Sequence, residues 1–267
     1  MNLASTFLGL AASAAMLVSS STSAALTREV ISYKVGDTEV ASVLIGDAKA
    51  GAMPGLVLIP NWMGINEANL KQAELIAGMG YEVLVADMYG KTLRPKDAAE
   101  AGKVSGAVKS DRALMRTRVN AALAQLLTAG KAKKVALDAS KMGAIGFCFG
   151  GTTAIEMARS GASIAGVVSF HGGLSASPTL PISGLSAQVL ALHGADDPYV
   201  PADEVKAFEA EMRAAKANWE LVSYGGAVHS FTDVDAKMVG QAHYDAKVAK
   251  RAYARMHSFF NELFAKP

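Results

Sequence analysis

Cys148 is the single cysteine of the 267-residue chain, and it stands within Gly146-Phe147-Cys148-Phe149-Gly150. That pattern, G-x-C-x-G, is the thiol version of the turn that thrusts a nucleophile outward between a strand and a helix. Glycine is needed at its flanks because so sharp a reversal leaves no room for side chains against the adjoining strand and helix. The sulfur then lies at a helix N-terminus, where the local field favours a thiolate. The competing reading is an inert buried thiol, since free cysteine is among the most buried residue types. A nucleophile needs a base, and "GGAVHSF" places His229 in a glycine-rich loop. A base needs an orienting acid, and "LHGADDPYVP" supplies Asp196 and Asp197, between which spacing does not choose. Nucleophile, acid and base in this chain order are the parts required for covalent acyl transfer.

The remaining polar candidates have other uses. His171 and His193 end apolar runs and are expected to bond backbone or shape a pocket, while His243 and His257 are placed on C-terminal helices. No His, Cys, Asp and Glu grouping has metal-ligand spacing, and "FTDVDAK" lacks the glycine and distal glutamate of a calcium loop. Neither a metal nor an organic cofactor is implied.

Elements that would position these residues can be read from periodicity. "EVISYKVGDTEVASVLIGD" alternates apolar and polar residues about Gly36-Asp37, as an antiparallel hairpin does. "GLVLIP" and "YEVLVADMYG" are continuous apolar runs of the kind buried on both faces of a sheet. "MGAIGF", "IAGVVSFHG", "AQVLALHGADD" and "WELVSYGGAVH" are further strands. Helices are expected over "NEANLKQAELIAGMG", "RALMRTRVNAALAQLL", "GGTTAIEMARSG" and "ADEVKAFEAEMRAA", with residues 235–264 helical and 92–110 a polar connection. Strand and helix alternate at βαβ spacing with no linker, which predicts one α/β domain over residues 26–267. Its mostly parallel central sheet has helices on both faces and an N-terminal antiparallel hairpin. Cys148, the Asp196-Asp197 pair and His229 each follow a different strand, so they converge at the carboxyl edge of that sheet.

Composition excludes some functions. With 51% hydrophobic residues the chain can build a large core, and a net charge of +2 offers no bulk attraction for nucleic acid. Residues 1–25 contain no Asp, Glu, Lys or Arg, and an apolar stretch from Leu3 to Val18 precedes Thr22-Ser23-Ala24-Ala25. This pattern predicts a cleaved signal peptide over residues 1–25 and export to the periplasm or medium. Its n-region lacks Lys and Arg, and the alternative is an anchor, which needs about 20 strongly apolar residues. An exported chain with one cysteine gains no internal disulfide from it, which favours a chemical use for Cys148.

Taken together, "VLIPNWMGIN", "ADMYG", "GAIGFCFGG", "HGADDPYVP" and "GGAVHSF" resemble the dienelactone hydrolase family, a branch of the α/β-hydrolases with a Cys–His–Asp triad. The resemblance covers most of the chain after residue 25. It implies the α/β-hydrolase fold, with Cys148 as nucleophile, Asp197 as acid and His229 as base. Backbone N–H groups of Phe149 and Trp62 correspond to the oxyanion hole. The implied reaction is hydrolysis of a small carboxylic ester or lactone through a cysteine thioester, without cofactor. A thioesterase or acyl transferase on the same triad, or a non-catalytic binding protein on the scaffold, are the alternatives. Two positions depart from the family pattern. Asn61 occupies the place of a glutamate near the thiol, and Asp233 that of an arginine which helps hold a substrate carboxylate. Both are pocket candidates: Asn61 can neither accept a proton from the thiol nor repel a thiolate, and Asp233 predicts a preference for neutral substrates unless Arg112 or Arg116 reaches the pocket. The expected partner is a small molecule, with neither nucleic acid nor stable membrane insertion after cleavage. The oligomeric state is left open.

Overall fold

A computed structural model describes residues 26–265 except 48, 50 and 183. The expected signal peptide, residues 1–25, lies outside the described residues. β1 (Thr27–Val35) and β2 (Thr38–Gly46) pair antiparallel, with Val35 opposite Thr38 across Gly36-Asp37. Gly36 has φ 57, the left-handed geometry that such a two-residue turn requires. β3 (Met53–Ile59), β4 (Glu82–Val85), β5 (Leu137–Phe147), β6 (Gly166–Phe170), β7 (Gln188–Gly194) and β8 (Trp219–Tyr224) complete the sheet. Its order is β1-β2-β4-β3-β5-β6-β7-β8. β2 meets β4 antiparallel, and every later pairing is parallel.

Side chains of one strand alternate between two cores, which explains why these strands read as unbroken apolar runs. On β3, Val57 and Ile59 join Met115 and Val119 of α3 (Arg112–Lys131), Ile155 of α4 (Phe149–Arg159) and Phe208 of α5 (Ala202–Ala214). Leu56 and Leu58 face the other way, onto Ile76 of α1 (Glu67–Ala77) and Met256 and Phe260 of α6 (Ala246–Phe264). Burial of each such side chain contributes about 1.5–3 kcal/mol. The sheet is thereby clamped from both sides, and its strand ends become rigid supports.

Three expectations are corrected. Residues 92–110 are not simply a connection, because α2 spans Ala98–Ser110. This helix buries only Ala101, Ser105 and Val108, so it carries little apolar periodicity. Its signature is the cap instead: the Asp97 carboxylate accepts from the Glu100 N–H at 2.9 Å. Secondly, β4 stops at Val85, short of the run ending at Gly90. The buried Asp87 carboxylate draws the following chain into a loop by accepting from the N–H groups of Tyr89 and Gly90. Thirdly, residues 235–245 are not helical. A small hairpin of β9 (Lys237–Met238) and β10 (Ala242–His243) turns at Gly240, φ 75, before α6 begins. Val239 is 82% exposed there, so its apolar character has no helical core face behind it. His243 accordingly lies on β10 rather than on a helix, whereas His257 is on α6 and meets the Tyr81 hydroxyl at 3.0 Å.

Candidate active site

Cys148 occupies the single residue between β5 and α4, with φ 55 and ψ −116. The glycine argument for this turn is visible in the distances. A Cβ on Gly146 would sit 1.9 Å from the Gly150 carbonyl oxygen, and one on Gly150 would sit 2.0 Å from that of Ile59. Cys148 is also the N-cap of α4 yet makes no side-chain cap bond, which leaves its sulfur free to face the cleft.

Two loops bring partners to that sulfur. After β8, the chain places His229 with Nε2 3.0 Å from Cys148 Sγ. After β7, Asp197 stands with Oδ2 2.8 Å from His229 Nδ1, and its Oδ1 accepts from the Tyr199 N–H at 2.8 Å. Asp197 is 5% exposed, whereas Asp196 faces solvent, so the geometry selects the residue that spacing left open. Burial opposes a charge on His229, but hydrogen bonds to Asp197 and Cys148 outweigh it and raise the imidazole to about 10. At neutral pH the ring holds its proton, and the sulfur faces a cation.

The N–H groups of Trp62 and Phe149 have no acceptor among the described residues. They are available to a ligand oxygen. Tyr89 supports both residues: its hydroxyl donates to the Trp62 carbonyl at 2.8 Å, and its ring lies 5.6 Å from that of Phe149.

Asn61 and Asp233, the two departures, meet each other. Asn61 Nδ2 donates to Asp233 Oδ2 at 3.3 Å, while Asn61 Oδ1 accepts from the Met63 N–H and from Asn69 Nδ2. Asn61 is therefore fastened to its own loop. Arg112 and Arg116 do not line the cleft; both are directed to the buried Glu156 carboxylate, at 3.8 and 2.8 Å. The cleft has a volume of about 670 Å³, and Trp62, Lys109, Tyr199, Asp233, Lys237 and Met238 are among its walls.

Sequence reasoning missed several of these. Lys109 comes from the unrecognised α2, and Lys237 and Met238 come from the unrecognised hairpin. Tyr199 was within reach, since it stands two residues after Asp197. Its ring packs edge-on to His229 with centroids 5.2 Å apart, and its hydroxyl donates to Gln241. His171, expected to bond backbone, lies 3.2 Å from the Cys148 backbone nitrogen.

Comparison with known proteins agrees with this architecture. Residues 40–264 match the sequence model of the dienelactone hydrolase family. A solved structure described as a dienelactone hydrolase-like promiscuous phosphotriesterase from metagenomic libraries is 38% identical. It covers 90% of this chain and 99% of its own, with a TM-score of 0.81. A Bradyrhizobium protein described as a probable 2-oxo-3-(5-oxofuran-2-ylidene)propanoate lactonase is 30% identical over 192 residues, 68% of this chain and 74% of its own. The dienelactone hydrolase of Anabaena variabilis shares the fold at 18% identity, with a TM-score of 0.64 over 89% of this chain and 98% of its own.

Proposed function

The chain belongs to the dienelactone hydrolase family, and from that premise we propose that it hydrolyses a small carboxylic ester or lactone through a thioester on Cys148. One observation carries the reading: His229 joins Cys148 Sγ at 3.0 Å to Asp197 at 2.8 Å, on three loops at one edge of the sheet. A binding protein on a hydrolase scaffold has no need to keep that line intact.

The steps follow from the geometry. With the thiol proton of Cys148 held on His229 Nε2, 3.0 Å away, the sulfur attacks the carbonyl carbon, and the carbonyl π pair moves to oxygen. The N–H groups of Trp62 and Phe149 receive that oxyanion, and each such donor is worth about 10²–10³ in rate. Collapse expels the alkoxide, which takes the proton from His229 Nε2. In a lactone, this alkoxide remains tethered to the acyl group. Water then gives a proton to His229 as it adds to the thioester. A second collapse returns the electron pair to sulfur and frees the carboxylic acid. Asp197 holds the Nδ1–H throughout and stabilises the cationic ring.

The experiment is hydrolysis of a panel of esters, thioesters and lactones, joined to mass spectrometry of the intact chain after a rapid acid quench. The expected result is a transient acyl adduct on Cys148, absent in Cys148→Ala. Turnover without an adduct, and undiminished in Cys148→Ala, contradicts the assignment. Adding an alcohol or thiol acceptor separates hydrolysis from acyl transfer. A neutral phosphotriester belongs on the panel because of the relative described as a promiscuous phosphotriesterase. Residues 1–25 support the further proposal that the enzyme is exported and cleaved near Ala25 or Leu26.

A further inference from the structure

His171 stands outside the Cys148–His229–Asp197 line yet contacts both the elbow that bears Cys148 and the loop that bears His229. It directly follows β6 with φ 41 and is 1% exposed. Nδ1 lies 3.2 Å from the backbone nitrogen of Cys148, whose N–H it shares with the Phe170 carbonyl at 3.0 Å. Nε2 lies 2.7 Å from Thr232 Oγ1, three residues beyond His229 in the same loop. The ring also stands edge-on to His229, with centroids 5.3 Å and planes 65° apart.

These contacts determine the state of the ring. A backbone N–H only donates, so Nδ1 is bare and the proton of the neutral imidazole is on Nε2, where it is given to Thr232. Protonation would set one N–H against another, beside a His229 that is itself cationic. Burial, then the charge of His229, holds His171 well below the usual histidine range. The ionisable groups around it are Cys148 from the elbow, His229 from the loop after β8 with Asp197 beyond it, and Tyr253 of α6 behind Phe147. None of these places a carboxylate against the ring to favour the charged form.

Backbone geometry points the same way. Among the described residues, five non-glycine residues have positive φ, and three are Cys148, His171 and Ser230, next to His229. The other two, Lys133 and Lys216, follow the ends of α3 and α5, where left-handed residues are ordinary. Conformations of this kind persist only where surrounding contacts enforce them. The elbow, the base-bearing loop and the residue between them are strained together.

We propose that His171 is a positioning residue: a neutral imidazole brace that ties the turn bearing Cys148 to the loop bearing His229 and keeps His229 Nε2 against Sγ. The proposal rests on the reading of Cys148 and His229 as the reacting pair. It gives that pair a chemistry-free readout, because Cys148 is the only thiol in the chain and alkylation by iodoacetamide reports on it alone.

Thr232→Val keeps the shape at the far end of the brace and removes the hydroxyl. His171→Asn keeps an acceptor near the Cys148 N–H in a residue that tolerates positive φ, and gives up the bond to Thr232 and the ring edge against His229. Each folded variant should move the pH profile of Cys148 alkylation upward by about half a unit or more. Each should also lower kcat about tenfold, with KM little changed, as a small misplacement of a reacting pair does. The double variant should be no worse than the poorer single variant, because both cut the same brace. An unshifted alkylation profile in either folded variant overturns the proposal, whatever happens to turnover. Failure of the underlying triad reading is distinguishable, since alkylation of the otherwise unaltered protein would then ignore His229→Ala.

Discussion

At Cys148, alanine removes the sulfur and little volume, so Cys148→Ala should fold normally and lose about four orders of magnitude or more in kcat. Circular dichroism and a turnover assay check both halves. Asp197 is coupled to the base. Its carboxylate helps hold His229 up near 10, so the cationic ring persists through neutral pH and is lost only as pH rises through that value. Asp197→Asn removes the anion, and the alkaline limb of the kcat/KM profile should move to lower pH as kcat falls. A limb that stays in place would contradict this coupling. Asp233 bears on substrate charge. Two like unit charges about 4 Å apart repel by roughly 1 kcal/mol in water and about 4 kcal/mol at an effective dielectric near 20. Lys109 and Lys237 line the same cleft as Asp233 and Asp235, so the net field there is more balanced than Asp233 alone implies. The expected order is still neutral over carboxylated ester in kcat/KM, with Asp233→Arg reversing or narrowing it. A matched pair of substrates at low salt measures this.

At the scale of elements, the elbow works because β5, α4 and β3 approach more closely than any side chain permits. Gly150→Ala would drive a Cβ to 2.0 Å from the Ile59 carbonyl oxygen, a backbone atom that cannot swing aside. The expected cost is about 1–3 kcal/mol of stability, with activity lost even where the variant remains folded, because α4 and the Phe149 N–H move together. An unchanged melting temperature and full turnover would show that the elbow has slack. The β9–β10 hairpin has little sequence signature, yet it supplies Lys237, Met238 and Ala242 to the cleft wall. The His229 N–H donates to the Gln241 carbonyl, and the His243 N–H donates to the His229 carbonyl. His229 is thus held from both sides of its backbone by the hairpin, as well as by Asp197 through its side chain.

For the whole molecule, stability and chemistry are placed at opposite rims of the sheet. Glu82 opens β4 at the rim away from Cys148 and is fully buried. Burial pushes its carboxyl up from 4.5 to about 7; the nearby backbone of Asp47 and Ala136 offsets this only in part, since neither carboxyl oxygen has a partner at full hydrogen-bond geometry. The folded state therefore keeps a proton that the unfolded chain releases. Its contribution is complete below pH 4.5 and is lost as pH rises through about 7. Glu82→Gln, neutral throughout, should match the unaltered protein near pH 5 and exceed it above pH 8 by on the order of 2–3 kcal/mol. Urea midpoints at the two pH values test this, and an equal difference at both would contradict a buried neutral carboxyl. Export belongs to this scale too. Mass spectrometry of protein from the native host should find a chain beginning near Ala25 or Leu26, and an intact Met1 in soluble cytosol would refute the proposal.

The sequence alone was sufficient for the sheet, its antiparallel entry and the convergence of Cys148, the Asp196-Asp197 pair and His229 at one edge. Burial on both faces demands unbroken apolar strands, and glycines mark turns where a Cβ would collide. Those signals are local, so they survive in one dimension. α2 and the β9–β10 hairpin were not legible, since one is held by a cap with little apolar periodicity and the other by a few backbone bonds and a glycine turn. Spacing left open which carboxylate meets His229, although the family resemblance pointed to Asp197: Asp196 and Asp197 are neighbours in the chain, and the turn after β7 buries one and exposes the other. The contact of Asn61 with Asp233 spans 172 positions, and the bond from His171 to Thr232 spans 61. Pairings at such separations leave no periodic trace, because the partners are chosen by where the clamped sheet delivers its loops.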